Sequence, residues 1–205
     1  MDNRELIINR AHKLLMDIGP TSMTMDMVAR ACGISKRTLY ETFPDKKTLI
    51  LECVAVEHAQ HDLEAQKIFR EASNCFEALF KIFKTTRLYL DKRSQAFIDD
   101  MQRLYPEAIE RHNSNERQFV IHMGKVLKRA QDEGLVISGI NNDIASFIFL
   151  NQIKSLHKNP GIDAMGFDRF TVYEVAFINF LRGIATIKGI EYIDLQIESL
   201  RTNKN

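Results

Sequence analysis

The sequence has no tryptophan, and only four prolines and nine glycines interrupt its 205 residues. So few breaking residues leave room for long helices, and no stretch alternates apolar and polar residues as a half-buried strand would. The longest apolar clusters, around Phe147 to Leu150 and Val175 to Leu181, are too short to cross a bilayer. The first residues, MDNRELIINR, carry acids and no unbroken apolar run, unlike a secretory signal. Cysteine is scarce too. Cys32, Cys53 and Cys75 are odd in number, far apart and outside any Cys-x-x-Cys or Cys/His zinc spacing. They read as small core hydrophobes in a reducing cytosol, and the chain is expected to be soluble and cytoplasmic. No metal and no cofactor is expected.

An excess of one charge is also missing. Lys+Arg number 28 and Asp+Glu 27, which excludes a protein coated with basic charge for binding nucleic acid over its whole surface. The basic residues are nevertheless placed unevenly. Between Arg30 and Lys47, five cations (Arg30, Lys36, Arg37, Lys46, Lys47) face two acids, Glu41 and Asp45. A local excess of this kind suits phosphate contacts. Motifs of the common enzyme classes are absent: no Gly-rich phosphate loop, Gly-x-Ser-x-Gly elbow or His-Glu-x-x-His is present. His58 and His61 stand at helical i, i+3 spacing, but with no third ligand nearby they read as a solvated face.

What is present is helical periodicity almost throughout, so the predicted class is all-α. Leu6, Ile7, Ala11, Leu14, Leu15 and Ile18 form one stripe, stopped by Gly19-Pro20. Thr24 caps a short helix to about Ala31, Gly33 breaks it, and Ser35 caps a second short helix to about Phe43. A longer helix follows over about 45–66. Further helices are predicted near 73–90, 94–103, 106–133, 142–157 and 167–188, with a short amphipathic tail near 190–200.

The segment Thr24 to Lys47 carries the function. Two short helices joined at Cys32-Gly33-Ile34 fit a helix-turn-helix, with glycine supplying the turn. Met27, Val28 and Ala31 are expected to face inward from the first helix, and Leu39 and Phe43 from the second. Lys36, Arg37, Thr38, Tyr40 and Thr42 then point outward, as donors on a helix entering the major groove must.

Gly33-Ile34-Ser35-Lys36-Arg37-Thr38-Leu39-Tyr40, followed by Phe43-Pro44-Asp45-Lys46 and Leu49, resembles the signature of the TetR/AcrR transcriptional regulators. The preceding helix with its Gly-Pro-Thr stop, Thr24 and the Val28-Ala29 pair match as well. The resemblance covers roughly residues 4–52. It implies a three-helix DNA-binding domain over 1–48, linked by the helix at about 45–66 to a larger ligand-binding and dimerisation domain over 49–205. By the same resemblance Thr24, Tyr40 and Lys46 serve the DNA backbone, Lys36, Arg37 and Thr38 approach base edges, and Ser35 belongs to the same DNA-binding set. Arg37 is the residue whose fork suits guanine O6 and N7. Asp26 departs from relatives that carry a basic residue there. It is expected to support its helix N-terminus, with cytosine N4 as the other possible partner.

The rest of the chain resembles the family in length and helix layout. The helices near 142–157 and 167–188 are apolar on more than one face, so one face needs a covering partner; the family forms its homodimer there. In the 106–133 helix, Ile109, Phe119, Val120, Met123, Val126, Leu127 and Ala130 form a core stripe that also passes through His112, Asn113 and Glu116. Polar groups on a core-facing line need solvent or a cavity, so His112, Asn113, Glu116 and Phe119 are the candidate ligand-binding residues. Thirteen phenylalanines and eight methionines favour an apolar or aromatic effector. The expected partners are thus double-stranded operator DNA, a small-molecule effector and a second copy of the chain, without a membrane. The resemblance implies a ligand-responsive transcriptional regulator, a repressor released from operator DNA by a hydrophobic small molecule. Two alternatives stand beside it: a constitutive DNA-binding organiser of the same fold without a ligand, and an all-helical enzyme.

Overall fold

The computed structural model describes residues 2–90, 95–107, 116–157 and 159–202. Among these it contains eleven helices: α1 (Asn3–Ser22), α2 (Met25–Cys32), α3 (Lys36–Thr42), α4 (Lys46–Glu71), α5 (Cys75–Leu90), α6 (Gln95–Leu104), α7 (Glu116–Asp132), α8 (Asn142–His157), α9 (Gly161–Ala164), α10 (Arg169–Ile184) and α11 (Ile187–Thr202). The fold is all-α. Its one extended contact among the described residues is an isolated bridge between Val136 and Ala185.

The chain divides into two compact units, Met1–Lys67 with Leu88–Ser114, and Ile68–Arg87 with Asn115–Asn205. The first is built on the stripe of α1, where Ile7, Ile8, Ala11 and Leu15 are buried. The helical run of α1 ends at Gly19 (φ 79°, ψ 165°), a conformation that suits a residue without Cβ; Pro20 then starts one more turn. Val28 and Ala29 of α2, Leu39 and Phe43 at α3, and Leu49, Ile50 and Cys53 of α4 close on the same core. Phe97, Met101 and Tyr105, in and just after α6, join it as well. That contribution makes the unit larger than a DNA-binding domain of residues 1–48. Buried Glu57 of α4 accepts a hydrogen bond from His12 Nε2 of α1 at 2.9 Å, a polar tie beside the apolar core. Burial pushes the neighbouring Cys53 thiol up to about 12, so it behaves as an inert core group.

The second unit has its own core of Phe76, Leu79, Phe80, Leu127, Leu135, Phe149, Phe177, Leu181 and Ile193. Phe83 stacks on Phe177 at 4.7 Å between ring centroids, while Phe80 meets the same ring edge-on at 5.3 Å. Glu133 links two helix ends: it accepts from the Cys75 backbone N–H at 2.7 Å and from Arg129 Nε at 2.8 Å. The helix predicted over 167–188 is cut short at Ile184. Ala185 is extended, and Thr186 donates its N–H to Leu135 O at 3.0 Å and its hydroxyl to Gly134 O at 2.7 Å. The chain then restarts as α11, a full helix rather than a short tail. Gly189 permits this seat, since a Cβ there would lie 2.2 Å from Leu135 O.

Candidate nucleic-acid interface

Two capped helices position the candidate DNA-facing surface. Thr24 Oγ1 accepts the Met27 N–H at 3.2 Å at the start of α2, and Ser35 Oγ accepts the Thr38 N–H at 3.1 Å at the start of α3. Each cap satisfies a backbone donor that a helix start otherwise leaves open. Between them Gly33 adopts φ 66°, ψ 29°, the left-handed conformation that lets the chain turn within three residues.

The inner face of α2 differs from the sequence expectation. Met25, Val28 and Ala29 are buried, whereas Met27 and Ala31 are exposed. A helix entered at Thr24 puts residues 25, 28, 29 and 32 on one side by its 3.6 period, and Cys32 indeed packs partly against the core. In α3 the expectation holds. Leu39 and Phe43 are fully buried, and this alone orients every other residue of the seven-residue helix.

On the opposite face stand the cations and hydroxyls. The Arg37 side chain is 88% exposed, and its Nε donates to Glu41 Oε1 at 2.8 Å. Lys36 is exposed and lies 2.5 Å from Asp26 of α2. Asp26 thus sits in the first turn of α2, as expected, and also reaches across to α3, a contact that sequence spacing does not reveal. Tyr40 is 48% exposed, which is high for an aromatic residue with nothing to cover it. Thr38 and Thr42 are only half-buried; Thr42 Oγ1 donates back to Thr38 O at 3.1 Å.

Asp45 starts α4 by accepting the Thr48 N–H at 2.6 Å, and that hydrogen bond holds its carboxyl below the usual range. Lys46, in the first turn of α4, donates to Thr21 O at 3.4 Å. Partial burial lowers its ammonium below the usual lysine value. Lys47 beside it pairs with Glu107 at 2.5 Å. The fold therefore brings Lys36, Arg37, Thr38 and Tyr40 onto one short helix, with the two capping hydroxyls at helix starts and Lys46 at the head of α4. The Asp26–Lys36 and Glu41–Arg37 pairs are the features of this surface that sequence reasoning missed. The i, i+4 spacing of Arg37 and Glu41 was the available signal.

The candidate effector residues are not gathered in this way. His112 and Asn113 lie outside the described residues, as does the Glu116 side chain. Phe119 is 37% exposed, and the inward line of α7 runs instead through Met123, Val126, Leu127 and Ala130. A cleft of about 370 Å³ lies elsewhere in this unit, lined by Ser73, Asn74, Glu133, Leu135, Lys188 and Tyr192. It contains none of the four.

Residues 7–53 match the family model described as bacterial regulatory proteins, tetR family. No curated protein matches the chain. Among solved structures, a transcriptional regulator from Cytophaga hutchinsonii is 19% identical, with a TM-score of 0.73 over 89% of this chain and 98% of that one. SmeT, the repressor of the Stenotrophomonas maltophilia multidrug efflux pump SmeDEF, is 18% identical at a TM-score of 0.65, covering 90% of this chain and 91% of its own. SmeT also matches in its complex with triclosan, at 19% identity and a TM-score of 0.62, over 90% and 92% of the two chains. A TetR-family transcriptional regulator from Agrobacterium tumefaciens is 16% identical at a TM-score of 0.61, over 90% and 98%. At these identities the likeness is one of fold. Residues 7–53 are thus similar to the N-terminal domain described by the tetR family model, and the helical fold that continues from them resembles that of these solved regulators.

Proposed function

We propose that the chain is a ligand-responsive transcriptional repressor that grips operator DNA through α2 and α3 and releases it when a hydrophobic small molecule binds. The observation that carries this reading is the outward face of α3, where Lys36, Arg37 and Tyr40 are exposed on a helix pinned from behind by Leu39 and Phe43. A rigid short helix with donors on its free side is what base reading in the major groove requires. Arg37 and Lys36 approach bases with Thr38; Thr24, Ser35, Tyr40 and Lys46 hold the backbone. Residues 1–48 act as the DNA-binding domain and 49–205 as the effector and dimerisation domain, in the cytoplasm and without catalysis.

Dimerisation is assigned to α8 and α10. Ile144, Phe147 and Ile148 are 57%, 56% and 58% exposed on α8, and Val175 is exposed on α10. Apolar side chains clustered like this favour burial against a second copy. We place the effector beside Phe119 of α7, with Glu116, Asn113 and His112 as its other candidate contacts, and it is apolar or aromatic in character. SmeT, bound to triclosan in one of the similar structures, supports that class.

Selection from a random duplex library tests the reading. The expected product is a palindrome whose half-sites lie about 34 Å apart, one duplex turn. Triclosan, as the first effector probe, is then titrated calorimetrically with and without saturating operator. Linkage requires operator to weaken effector binding as much as effector weakens operator binding. Enrichment of no sequence overturns the DNA-binding assignment; equal effector affinity in both titrations overturns release.

A further inference from the structure

We propose that Glu41 is a positioning residue for base recognition: it holds Arg37 so that the end of the guanidinium is presented to guanine, and its charge discourages binding to random DNA. This rests on the DNA-binding reading and deepens it. Arg37 and Glu41 lie two residues on either side of buried Leu39, so both project from the face of α3 opposite the core. The bond between them uses Arg37 Nε, at 2.8 Å from Glu41 Oε1. Among the described residues nothing else accepts from Arg37. The two terminal nitrogens, Nη1 and Nη2, therefore remain available as a fork. Guanine offers O6 and N7 side by side on its major-groove edge, and an end-on fork meets both.

A long arginine side chain in water loses considerable rotamer freedom when it is fixed on a base. Glu41 removes part of that freedom before DNA arrives. It also places a negative charge on the reading face, where non-specific binding depends almost wholly on attraction to phosphates. Both effects raise the ratio of specific to random binding. The Lys36–Asp26 pair offers an internal contrast. An ammonium is a point charge without a preferred plane, so Asp26 restrains charge without aiming a fork.

The test compares wild type with Glu41→Ala, Glu41→Gln, Arg37→Ala, Asp26→Asn and the Arg37→Ala/Glu41→Ala double variant. Each is assayed by library selection and by titration of operator and random duplex. Glu41 is exposed and alanine is a good helix former, so α3 is expected to tolerate the change. Glu41→Ala should tighten random-duplex binding at low salt by about fivefold and flatten base preference at one position per half-site by about fivefold. Glu41→Gln keeps an amide oxygen that can accept from Nε; it should tighten random binding while holding most of the preference. Asp26→Asn should tighten both duplexes and leave the preference logo unchanged. In the Arg37→Ala background, Glu41→Ala should change no preference. A wild type that enriches a site, paired with a Glu41→Ala logo identical to it, overturns this proposal alone. So does flattening that persists without Arg37. A wild type that enriches no sequence overturns the DNA-binding reading and this proposal together.

Discussion

The two units expose opposite chemistry on helices built by the same rules. On the N-terminal unit, α3 buries Leu39 and Phe43 and turns Lys36, Arg37 and Tyr40 to solvent. On the C-terminal unit, α8 buries Phe149 and Ser146 and turns Ile144, Phe147 and Ile148 to solvent. Both helices have one satisfied side and one open side. The open side of α3 offers hydrogen-bond donors and positive charge, which match phosphates and base edges. That of α8 offers apolar area, which gains only by excluding water against another apolar surface. The contrast is what supports the proposal of nucleic acid for one unit and a second copy of the chain for the other, and each half of that proposal can be broken separately.

The largest effect is expected from the apolar face. Phe147→Glu puts a charge into the centre of the proposed interface, where it must lose water without gaining a partner. The side chain is exposed in the single chain, so its own fold should survive. Sedimentation should show monomers, and operator affinity should fall by more than about a hundredfold because one half-site is gripped alone. A Phe147→Glu protein that remains dimeric, or a monomer with full operator affinity, removes α8 from the interface.

Arg37→Ala sharpens the other half of the comparison. It should weaken operator binding by roughly 1–3 kcal/mol per half-site and relax base preference at one position in each half-site. The cap at Ser35 and the buried pair Leu39 and Phe43 remain, so α3 itself should persist. An unchanged preference logo excludes Arg37 from base reading.

The reading end was legible in the sequence because its constraints are local. A cap, a glycine turn and an i, i+4 apolar pair fall within twenty residues, and each leaves a residue-type mark: Thr24, Gly33, Ser35, Leu39 and Phe43. The inward face of α2 was misjudged because Met27 and Met25 are the same residue type. Only the exact entry point of the helix decides between them. The Asp26–Lys36 pair was hidden for a different reason, since it crosses between helices whose mutual packing spacing alone does not state. The same limit explains why Phe97, Met101 and Tyr105 in the N-terminal core were not foreseen. The effector site was legible only as a class of side chain. A stripe marks which residues face inward; it does not mark where two or three helices leave space. Phe119, on that stripe yet more than a third exposed, shows the difference.

The smallest effect, and the one that best separates holding DNA from reading it, concerns Lys46. Its ammonium reaches Thr21 O at 3.4 Å, long for a hydrogen bond, and partial burial lowers its affinity for the proton. Both features leave it better off beside a phosphate, which supplies a closer acceptor and a compensating charge. Lysine at the head of α4 is also kept in place by the Asp45 cap on the Thr48 N–H, so its position relative to the reading helix is well defined. Because a phosphate has no sequence identity, Lys46→Ala should lower affinity for operator and random duplex by the same factor. Tyr40→Phe, which removes one hydroxyl and keeps the ring, should do likewise with a smaller factor. A titration series in salt should give Lys46→Ala a slope shallower by about two units in log affinity against log salt, one fewer neutralised phosphate in each subunit of the dimer. Tyr40→Phe, which removes no charge, should leave that slope unchanged. A loss confined to operator for Lys46→Ala would instead place the ammonium on a base, and Arg37 would then share the readout with a residue outside α3.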